Sequence, residues 1–249
     1  MSSIRQAFDR HAGIYDQAFS SANIRSEVWQ IADEVFLPGM HVLDLGCGTG
    51  EDALHFAERG VHITAVDVSP EMIFQTKRKA GEMIHCEVAD MRTCSCANSK
   101  WDGVFSNFGA LNCVPQLDWI GRLGFVPGAH LVLTVMGRLY PLETAISLLK
   151  GKPRTAFRRL GNPSEGIVEG VRFNVYYHSL RAMQAALGQN LELRHVKGLR
   201  SVMPAPHLEH LERFALVRLL EPIDRWLCAH RRTAVCADHF VTVWRYRET

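Results

Sequence analysis

The sequence contains no long hydrophobic run. Its longest apolar stretch, around Leu131 to Met136, is much shorter than the roughly 20 residues that a membrane-spanning helix requires. The residues from Met1 to Phe8 also lack the apolar block that follows the first charges of a secretory leader. We therefore expect neither a membrane span nor secretion.

The sequence also lacks a cysteine framework. Its seven cysteines are scattered through 249 residues, a length that can form a stable core without disulfides. Free thiols in a reducing compartment are the simplest explanation, so we predict a cytoplasmic protein. With 47% hydrophobic and 22% charged residues and no internal repeat, the chain fits a single globular domain, residues 1–249.

Neither sign of charge dominates, since 28 Lys and Arg oppose 26 Asp and Glu. The two parts of the chain differ, however: residues 1–136 hold 10 basic and 16 acidic side chains, whereas residues 137–249 hold 18 and 10. The two parts are expected to contact different partners. The stretch from Lys150 to Arg159 has five positive charges and no acid, which is typical either of a solvated face or of a site that holds an anion.

From Met40 onward, short apolar runs alternate with amphipathic segments, which predicts an α/β fold with a doubly wound sheet. One helix start is clear, because Ser69 is a good N-cap, Pro70 suits the first helical position and Glu71 the first turn. The predicted strands, the last of them at an edge of the sheet, are residues 41–45, 61–66, 83–89, 101–106, 129–135, 191–202 and 239–246.

The chain divides into four consecutive segments within this domain. Residues 1–38 predict helices that lie across an edge of the sheet, and residues 39–136 predict its core. Residues 137–189 predict an insertion that covers the carboxyl edge of the sheet as a lid. Residues 190–249 supply the last strands and a helix around Leu208 to Leu220.

Three glycines alternate in Asp44-Leu-Gly46-Cys-Gly48-Thr-Gly50, where a buried strand turns into a helix. Glycine lets a ligand approach the backbone closely, and the free N–H groups of the helix start point toward it, which indicates a nucleotide-like ligand. A dinucleotide fingerprint would require glycine where Glu51 stands. NAD and FAD are therefore disfavoured.

Two further acids end the next strands. Asp67 follows the second strand, where a carboxylate can accept from both hydroxyls of a ribose. Asp90 follows the third strand, where it can accept from the amine of an adenine. Met72 and Met91 would form soft apolar walls beside that base.

These motifs carry a family resemblance. Together with Val66-Asp67-Val-Ser-Pro-Glu-Met72 and Trp101-Asp-Gly-Val-Phe-Ser-Asn107-Phe-Gly-Ala-Leu111, they resemble the class I S-adenosylmethionine-dependent methyltransferases. The similarity covers about residues 8–136 and is strongest to the branch of the ubiquinone/menaquinone-biosynthesis and malonyl-carrier-protein methyltransferases. It implies S-adenosylmethionine as cofactor and a Rossmann-like, seven-stranded, mostly parallel sheet with an antiparallel last strand.

The resemblance also implies which residues bind this cofactor. Tyr15 would close over it, Asp67 would hold the ribose and Asp90 the adenine amine. Asn107 and Phe108 would face the methionyl group and its methyl. The implied set is Tyr15, Asp44, Gly46, Cys47, Gly48, Gly50, Asp67, Val68, Met72, Asp90, Met91, Asn107 and Phe108.

Methyl transfer from a sulfonium depends mainly on alignment and on exclusion of water. An acceptor that must lose a proton also benefits from a nearby base, and His178, Tyr177 and His11 are the candidates. The basic run favours a small-molecule or lipid-like acceptor, an anionic amphiphile. Two groups of residues carry side chains that can bind zinc, namely Cys94 with Cys96, and Cys228, His230, Cys236 and His239. Their spacings do not favour a zinc site, so we predict that no metal is bound.

Two other functions stay open at this stage. The chain could be a catalytically inactive binding or assembly protein of the same fold, although the intact glycines and acids favour an enzyme. It could also methylate RNA, with the basic run following phosphates. The sequence at Asn107-Phe-Gly-Ala lacks the Pro-Pro-aromatic motif of base-methylating enzymes, and an RNA-binding module is not evident, so nucleic acid is disfavoured.

Overall fold

A computed structural model describes residues 2–18, 22–95, 99–161, 163–203, 217 and 219–247. The strands are β1 (His41–Leu45), β2 (His62–Asp67), β3 (Ile84–Val88), β4 (Lys100–Ser106), β5 (Gly124–Met136), β6 (Ser164–Val168), β7 (Val171–Val175), β8 (Leu191–Leu199) and β9 (His239–Tyr246). The helices are α1 (Ser2–His11), α2 (Tyr15–Ala18), α3 (Ala22–Asp33), α4 (Glu51–Ala57), α5 (Pro70–Ala80), α6 (Pro141–Leu149), α7 (Pro153–Ala156), α8 (Leu180–Leu187), α9 (Glu221–Ala229) and α10 (Arg231–Ala234).

Seven strands form one sheet in the order β3-β2-β1-β4-β5-β9-β8. The pairs from β3 to β5 are parallel, whereas β9 runs antiparallel to both β5 and β8. The predicted doubly wound sheet with an antiparallel last strand is therefore confirmed. The prediction that the last strand lies at an edge is wrong, because β9 has hydrogen-bonded neighbours on both sides and β8 is the edge.

The central strands are buried on both faces, as parallel strands covered by helices must be. Along β1, Leu43 and Leu45 enter one hydrophobic cluster, while Val42 enters the cluster on the opposite face. On β5, Leu131 and Val132 divide in the same way. This double burial fixes the register of the strands, and therefore fixes which residues emerge at the carboxyl edge.

Helix α5 begins as the sequence predicts. The Ser69 side chain accepts a hydrogen bond from the Met72 backbone N–H at 3.1 Å, and Pro70 occupies the first helical position. A cap of this kind stabilises a helix by about 1 kcal/mol. It also fixes the turn between Asp67 at the end of β2 and the start of the helix.

The segment 137–189 divides into parts with different surroundings. Helices α6 and α7 and the β6–β7 hairpin lie outside the main sheet, and the hairpin packs on α1 with 5.9 Å between the ring centroids of Phe8 and Phe173. Helix α8, in contrast, buries Met183 and Leu187 in the main core. The part that can cover the carboxyl edge is thus narrower than residues 137–189.

Several predictions fall on, or directly beside, residues outside the described ranges. The helix predicted around Leu208 to Leu220 falls almost wholly outside the described residues, and Cys96 does so too. Cys94 is disulfide-bonded, so the expectation of seven free thiols is wrong at that residue. Free thiols are found at Cys47, Cys86, Cys113, Cys228 and Cys236.

The described ranges contain neither a helix that could span a membrane nor a cluster of metal ligands. No helix there combines the length and the apolar character that crossing a bilayer demands. Within the same residues, no three His, Cys, Asp or Glu side chains converge as metal ligands. The Sγ atom of Cys228 instead lies 3.3 Å from the Ser201 hydroxyl, and burial raises the pKa of this thiol to about 11.

Candidate active site

A cavity of about 610 Å³ lies at the carboxyl edge of the sheet. Its walls come from the residues that follow β1, β2, β3 and β4, from the end of β5, and from the start of the antiparallel β9. Parallel strands present their carboxyl ends to one edge, which is where doubly wound folds bind ligands. We call this the edge cavity.

The glycines of the β1–α4 turn have different surroundings. All three have positive φ values, 75° at Gly46, 55° at Gly48 and 81° at Gly50. A Cβ at Gly46 would collide with the Ala110 side chain, and one at Gly50 would lie 2.5 Å from Thr76 Cγ2. Among the described residues, a Cβ at Gly48 would meet only Tyr15, at 3.9 Å. Gly48 therefore keeps space open at the edge cavity, while Gly50 permits packing of α4 on α5.

Asp67 lies at the end of β2 with its carboxylate already oriented. Its two oxygens accept from the backbone N–H groups of Gly48, at 3.0 Å, and Ser69, at 2.9 Å. Burial raises the pKa of Asp67 to about 6, although these hydrogen bonds oppose the rise. A carboxylate in this position has lone pairs left for ligand hydroxyls, and such donors would restore its usual acidity.

Asp44 lies behind the glycine turn and does not line the cavity. It is almost fully buried, and its Oδ2 atom has no hydrogen-bond partner among the described residues. Burial raises the pKa of Asp44 well above its usual range, and the nearby Asp52 and Asp67 raise it further. An unpaired buried carboxyl group is costly, and a ligand that brings a donor or positive charge would relieve that cost.

The side chain of Asp90 is not placed for the adenine contact that the resemblance implies. It forms a bidentate pair with Arg92, with 2.6 Å between Arg92 Nη2 and Asp90 Oδ2, and it does not line the cavity. Burial would raise the pKa of Asp90, but the hydrogen bonds from Arg92 lower it. Ala89 and Met91 line the wall instead. In this arrangement Asp90 does not reach the edge cavity, and its contact with an adenine stays a prediction.

The sequence reasoning missed a cation in the cavity wall. Arg25 on α3 lies 2.7 Å from Asp52 Oδ1 and covers the Phe108 ring at 4.5 Å. Asn107 donates to the other oxygen of Asp52 at 3.3 Å, so the end of β4 is tied to this pair. The one sequence signal is that Arg25 is the sole Lys or Arg within α3.

The remaining predicted cofactor residues converge as expected. All of the implied set except Asp44, Gly50 and Asp90 line the edge cavity, namely Tyr15, Gly46, Cys47, Gly48, Asp67, Val68, Met72, Met91, Asn107 and Phe108. Burial raises the pKa of the Cys47 thiol and raises that of Cys113, also in the wall, to about 12. Both thiols therefore stay protonated at neutral pH.

The three predicted bases do not line the edge cavity as the described residues form it. His178 is buried with its Nε2 atom 3.1 Å from the Leu111 carbonyl, and burial lowers its pKa. Tyr177 packs under the Arg159 guanidinium, and His11 pairs with Glu169 at 3.0 Å. A catalytic role for these residues stays a prediction, and the geometry does not bring them to the site.

The other end of the cavity contains a buried charge network. Arg159 Nη2 lies 2.5 Å from Asp238 Oδ1, and Arg159 Nε lies 2.6 Å from Glu143 Oε2. Arg158 pairs with the same Glu143. The guanidinium of Arg159 also covers the Tyr140 ring at 4.9 Å. The basic run is thus partly neutralised inside the fold and is not simply a solvated face.

Comparisons with known proteins agree with this geometry. A family model described as a methyltransferase domain matches residues 42–123. A malonyl-[acyl-carrier protein] O-methyltransferase from Pectobacterium atrosepticum is 31% identical over 156 residues, 61% of either chain. A demethylmenaquinone methyltransferase from Beutenbergia cavernae is 31% identical over 98 residues, 39% of this chain and 40% of the relative. The chain therefore spans less than two thirds of these relatives.

A solved S-adenosylmethionine dependent methyltransferase from Mesorhizobium loti has a TM-score of 0.58 at 17% identity, covering 88% of this chain and 96% of the other. This likeness shows the fold alone. Sheet order and the glycine turn after β1 together define a doubly wound α/β fold. The sequence matches agree with the resemblance: residues 42–123 match the methyltransferase domain, and the two relatives belong to the branch that the motifs of this chain resemble.

Proposed function

We propose that this chain transfers the methyl group of S-adenosylmethionine to a small-molecule or lipid-like acceptor that carries an anionic group. One observation carries the proposal: the edge cavity is continuous from the glycine turn and Asp67 to a second end, where apolar side chains lie beside the charge network of Arg159. That end is lined by Leu142, Ile146, Val202, Val217 and Leu220. A single cavity of this extent has room for a cofactor and an acceptor side by side.

The residues at the first end fit S-adenosylmethionine. The open space at Gly48 admits a ligand against the backbone. Asp67 would hold the ribose, with Met72 and Met91 beside the base. Arg25, in the same wall, suits a ligand carboxylate. These features support the cofactor on structural grounds separate from the motif.

When bound, S-adenosylmethionine supplies an electrophilic methyl carbon on a sulfonium. The chain's own residues orient the acceptor and exclude water, since such a transfer needs alignment more than acid catalysis. Phe108 helps to shape this part of the wall. It is held at φ 47° by a hydrogen bond from its N–H to Asn107 Oδ1 at 2.8 Å. A bulky residue in the left-handed region is typical of ligand clamps.

The second end favours an amphiphilic acceptor. Its apolar side chains would contact a hydrophobic portion, and Lys150 and Arg158 add positive charge to the lining. Arg158 shares Glu143 with Arg159, so Lys150 is the cation best placed to hold an anionic group. Helices α6 and α7 and the β6–β7 hairpin would form the cover over this end, because α6 and Val168 of the hairpin line it.

Two measurements test the proposal in sequence. Calorimetry with S-adenosylhomocysteine should show micromolar binding to the unmodified chain, and NAD should bind far more weakly. Incubation with methyl-labelled S-adenosylmethionine and a cell extract should then label a small molecule, which mass spectrometry identifies. Binding without any labelled product would favour an inactive binding protein, and label recovered in RNA would favour the nucleic-acid alternative. Absence of binding would overturn the cofactor assignment itself.

A further inference from the structure

A histidine without a role in the proposed function so far lies in the wall at the second end of the edge cavity, which we call the acceptor end. His239 is the first residue of β9, where it pairs with Met136 at the end of β5 and with Leu199 at the end of β8. Because β9 is antiparallel, its first residue emerges at the same edge as the glycine turn. His239 lines the edge cavity, and 12% of its side chain is exposed.

The His239 ring is held by its neighbour in the chain. Its Nδ1 atom lies 3.2 Å from Asp238 Oδ2. Asp238 is itself buried, and its other oxygen accepts from Arg159 Nη2 at 2.5 Å, while its backbone N–H donates to the Arg200 carbonyl. Burial would raise the pKa of Asp238, but His239 and Arg159 hold it well below its usual range. The carboxylate is therefore ionised over the whole working range of pH.

An ionised carboxylate against Nδ1 fixes the proton of a neutral imidazole on that nitrogen and leaves Nε2 as an acceptor. Among the described residues, Nε2 of His239 has no hydrogen-bond partner. The end of β4, with Asn107 and Phe108, is two strands from β9, which corresponds to roughly 10 Å between backbones. An acceptor between these strands can contact both walls of the cavity.

We propose that His239, oriented by Asp238, is the general base that removes a proton from a weakly acidic hydroxyl of the methyl acceptor. This inference rests on the proposed function and names its substrate class: an amphiphile with a phenolic or enolic O–H near His239 and an ionised group near Lys150. A carboxylate nucleophile is already ionised at neutral pH and would gain nothing from a base at this position.

The step balances without a further reactant. The acceptor O–H bond breaks and its proton moves to His239 Nε2, giving an imidazolium that Asp238 stabilises. The acceptor oxygen forms a bond to the methyl carbon as the carbon–sulfur bond breaks, with its electron pair left on the sulfur as a neutral thioether. His239 then releases the proton to solvent.

The first test measures which nitrogen of the His239 ring carries the proton, and it needs no turnover. In the protein labelled with ¹⁵N-histidine and saturated with S-adenosylhomocysteine, the resonances of His239 should report the Nδ1–H tautomer. Addition of 4-hexylphenol should shift the Nε2 resonance, and His239→Gln should abolish that response. Asp238→Asn should mix the two tautomers. A proton on Nε2 in the unmodified protein, or no response to the phenol, would overturn the proposal.

The second test measures transfer of labelled methyl to 4-alkylphenols of graded acidity and to a fatty carboxylate. His239→Gln should lower kcat on the least acidic phenol by roughly 10² to 10⁴-fold, with a smaller loss on more acidic phenols. His85→Gln, an exposed histidine on β3, is the matched control and should change nothing. Equal rates for His239→Gln and the unmodified enzyme, or transfer to the carboxylate but to no phenol, would contradict the assignment.

Calorimetry separates this inference from the function on which it rests. His239→Gln should bind S-adenosylhomocysteine within about two-fold of the unmodified protein, because His239 lies at the acceptor end. If neither form binds this ligand, the proposed function fails. If both bind it and the ring and rate measurements show no role for His239, only the base assignment fails.

Discussion

The two ends of the edge cavity are built from different kinds of feature. At the first end, which we propose binds the cofactor and call the cofactor end, the wall contains a backbone turn with positive φ values and one strand-end carboxylate, within the acidic residues 1–136. At the acceptor end, charged side chains from α6, the turn after α7 and β9 meet in a buried network, within the basic residues 137–249. The first arrangement is local in sequence, whereas the second exists only in the folded chain.

The largest effect should come from the buried network. Arg159→Gln would leave Asp238 and Glu143 without their shared cation, and breaking a buried ion pair in this way costs about 3 to 5 kcal/mol. Urea unfolding measures this cost. Arg154→Gln, an exposed residue of the same basic run, is the control and should stay within about 0.5 kcal/mol. Similar losses in both variants would mean that the network is not structural.

The next comparison is between two glycines of the same turn. Gly50→Ala should lower the unfolding free energy by about 2 to 4 kcal/mol, because a positive φ and a close approach to Thr76 both oppose a Cβ. Gly48→Ala should cost only about 1 to 2 kcal/mol but should weaken S-adenosylhomocysteine binding. Unfolding curves and calorimetry on both variants test this division, and the reverse pattern would contradict it.

Asp67 should control the affinity for S-adenosylhomocysteine and the pH dependence of that affinity. Asp67→Asn removes charge-assisted hydrogen bonds, which corresponds to about 1.5 to 3 kcal/mol in S-adenosylhomocysteine binding. Because the pKa of Asp67 in the free protein is about 6, ligand hydroxyls must displace a proton below that pH. Affinity measured by calorimetry should therefore rise from pH 5 to pH 7 and then level off. A profile of the same shape in Asp67→Asn would assign the titration to another group.

The raised pKa of Asp67 also predicts the direction in which the unfolding free energy changes with pH. Since the folded-state pKa of Asp67 lies above its unfolded value of about 3.9, the folded chain binds more protons between these values. The contribution of Asp67 to the unfolding free energy should fall as pH rises from about 4 to about 6. Unfolding of the unmodified protein and of Asp67→Asn over this range gives the difference, which should disappear if the carboxylate is not buried.

The smallest effect should come from the exposed cation at the acceptor end. Lys150→Gln should raise KM for the acceptor purified from extract by up to about five-fold, since exposed ion pairs are worth about 1 kcal/mol or less. The effect should shrink with added salt. Lys152→Gln, which lies nearby but does not line the cavity, should leave KM unchanged. Equal changes of KM in both variants would indicate a general electrostatic attraction of the acceptor and no specific contact with Lys150.

Most residues predicted for the cofactor end do line the edge cavity, because the signals that mark them are local in sequence, while their binding roles stay predictions. Alternating glycines after a buried strand and Asp67 at the end of the next strand are visible without tertiary information. Asp90 has the same local position, yet its pairing with Arg92 two residues away was not inferred. The place of β9 inside the sheet was also missed, because alternation along a strand does not reveal how many neighbours it has.

The acceptor end could not be inferred in the same way. His239 was considered only as a metal ligand, because its relation to the cavity depends on the antiparallel insertion of β9 between β5 and β8. Arg159 was grouped with its basic neighbours, although the fold buries it between Glu143 and Asp238. In both cases the chemistry depends on partners that are distant in sequence and close only in the structure.

A crystal structure with bound S-adenosylhomocysteine tests the central claim most directly, because that claim assigns cofactor and acceptor to opposite ends of one cavity. We predict the ribose hydroxyls on Asp67, the amino-acid portion beside Gly46 to Gly48, and the sulfur facing the acceptor end that His239 lines. A ligand bound elsewhere, or one whose sulfur faces away from β9, would contradict the account.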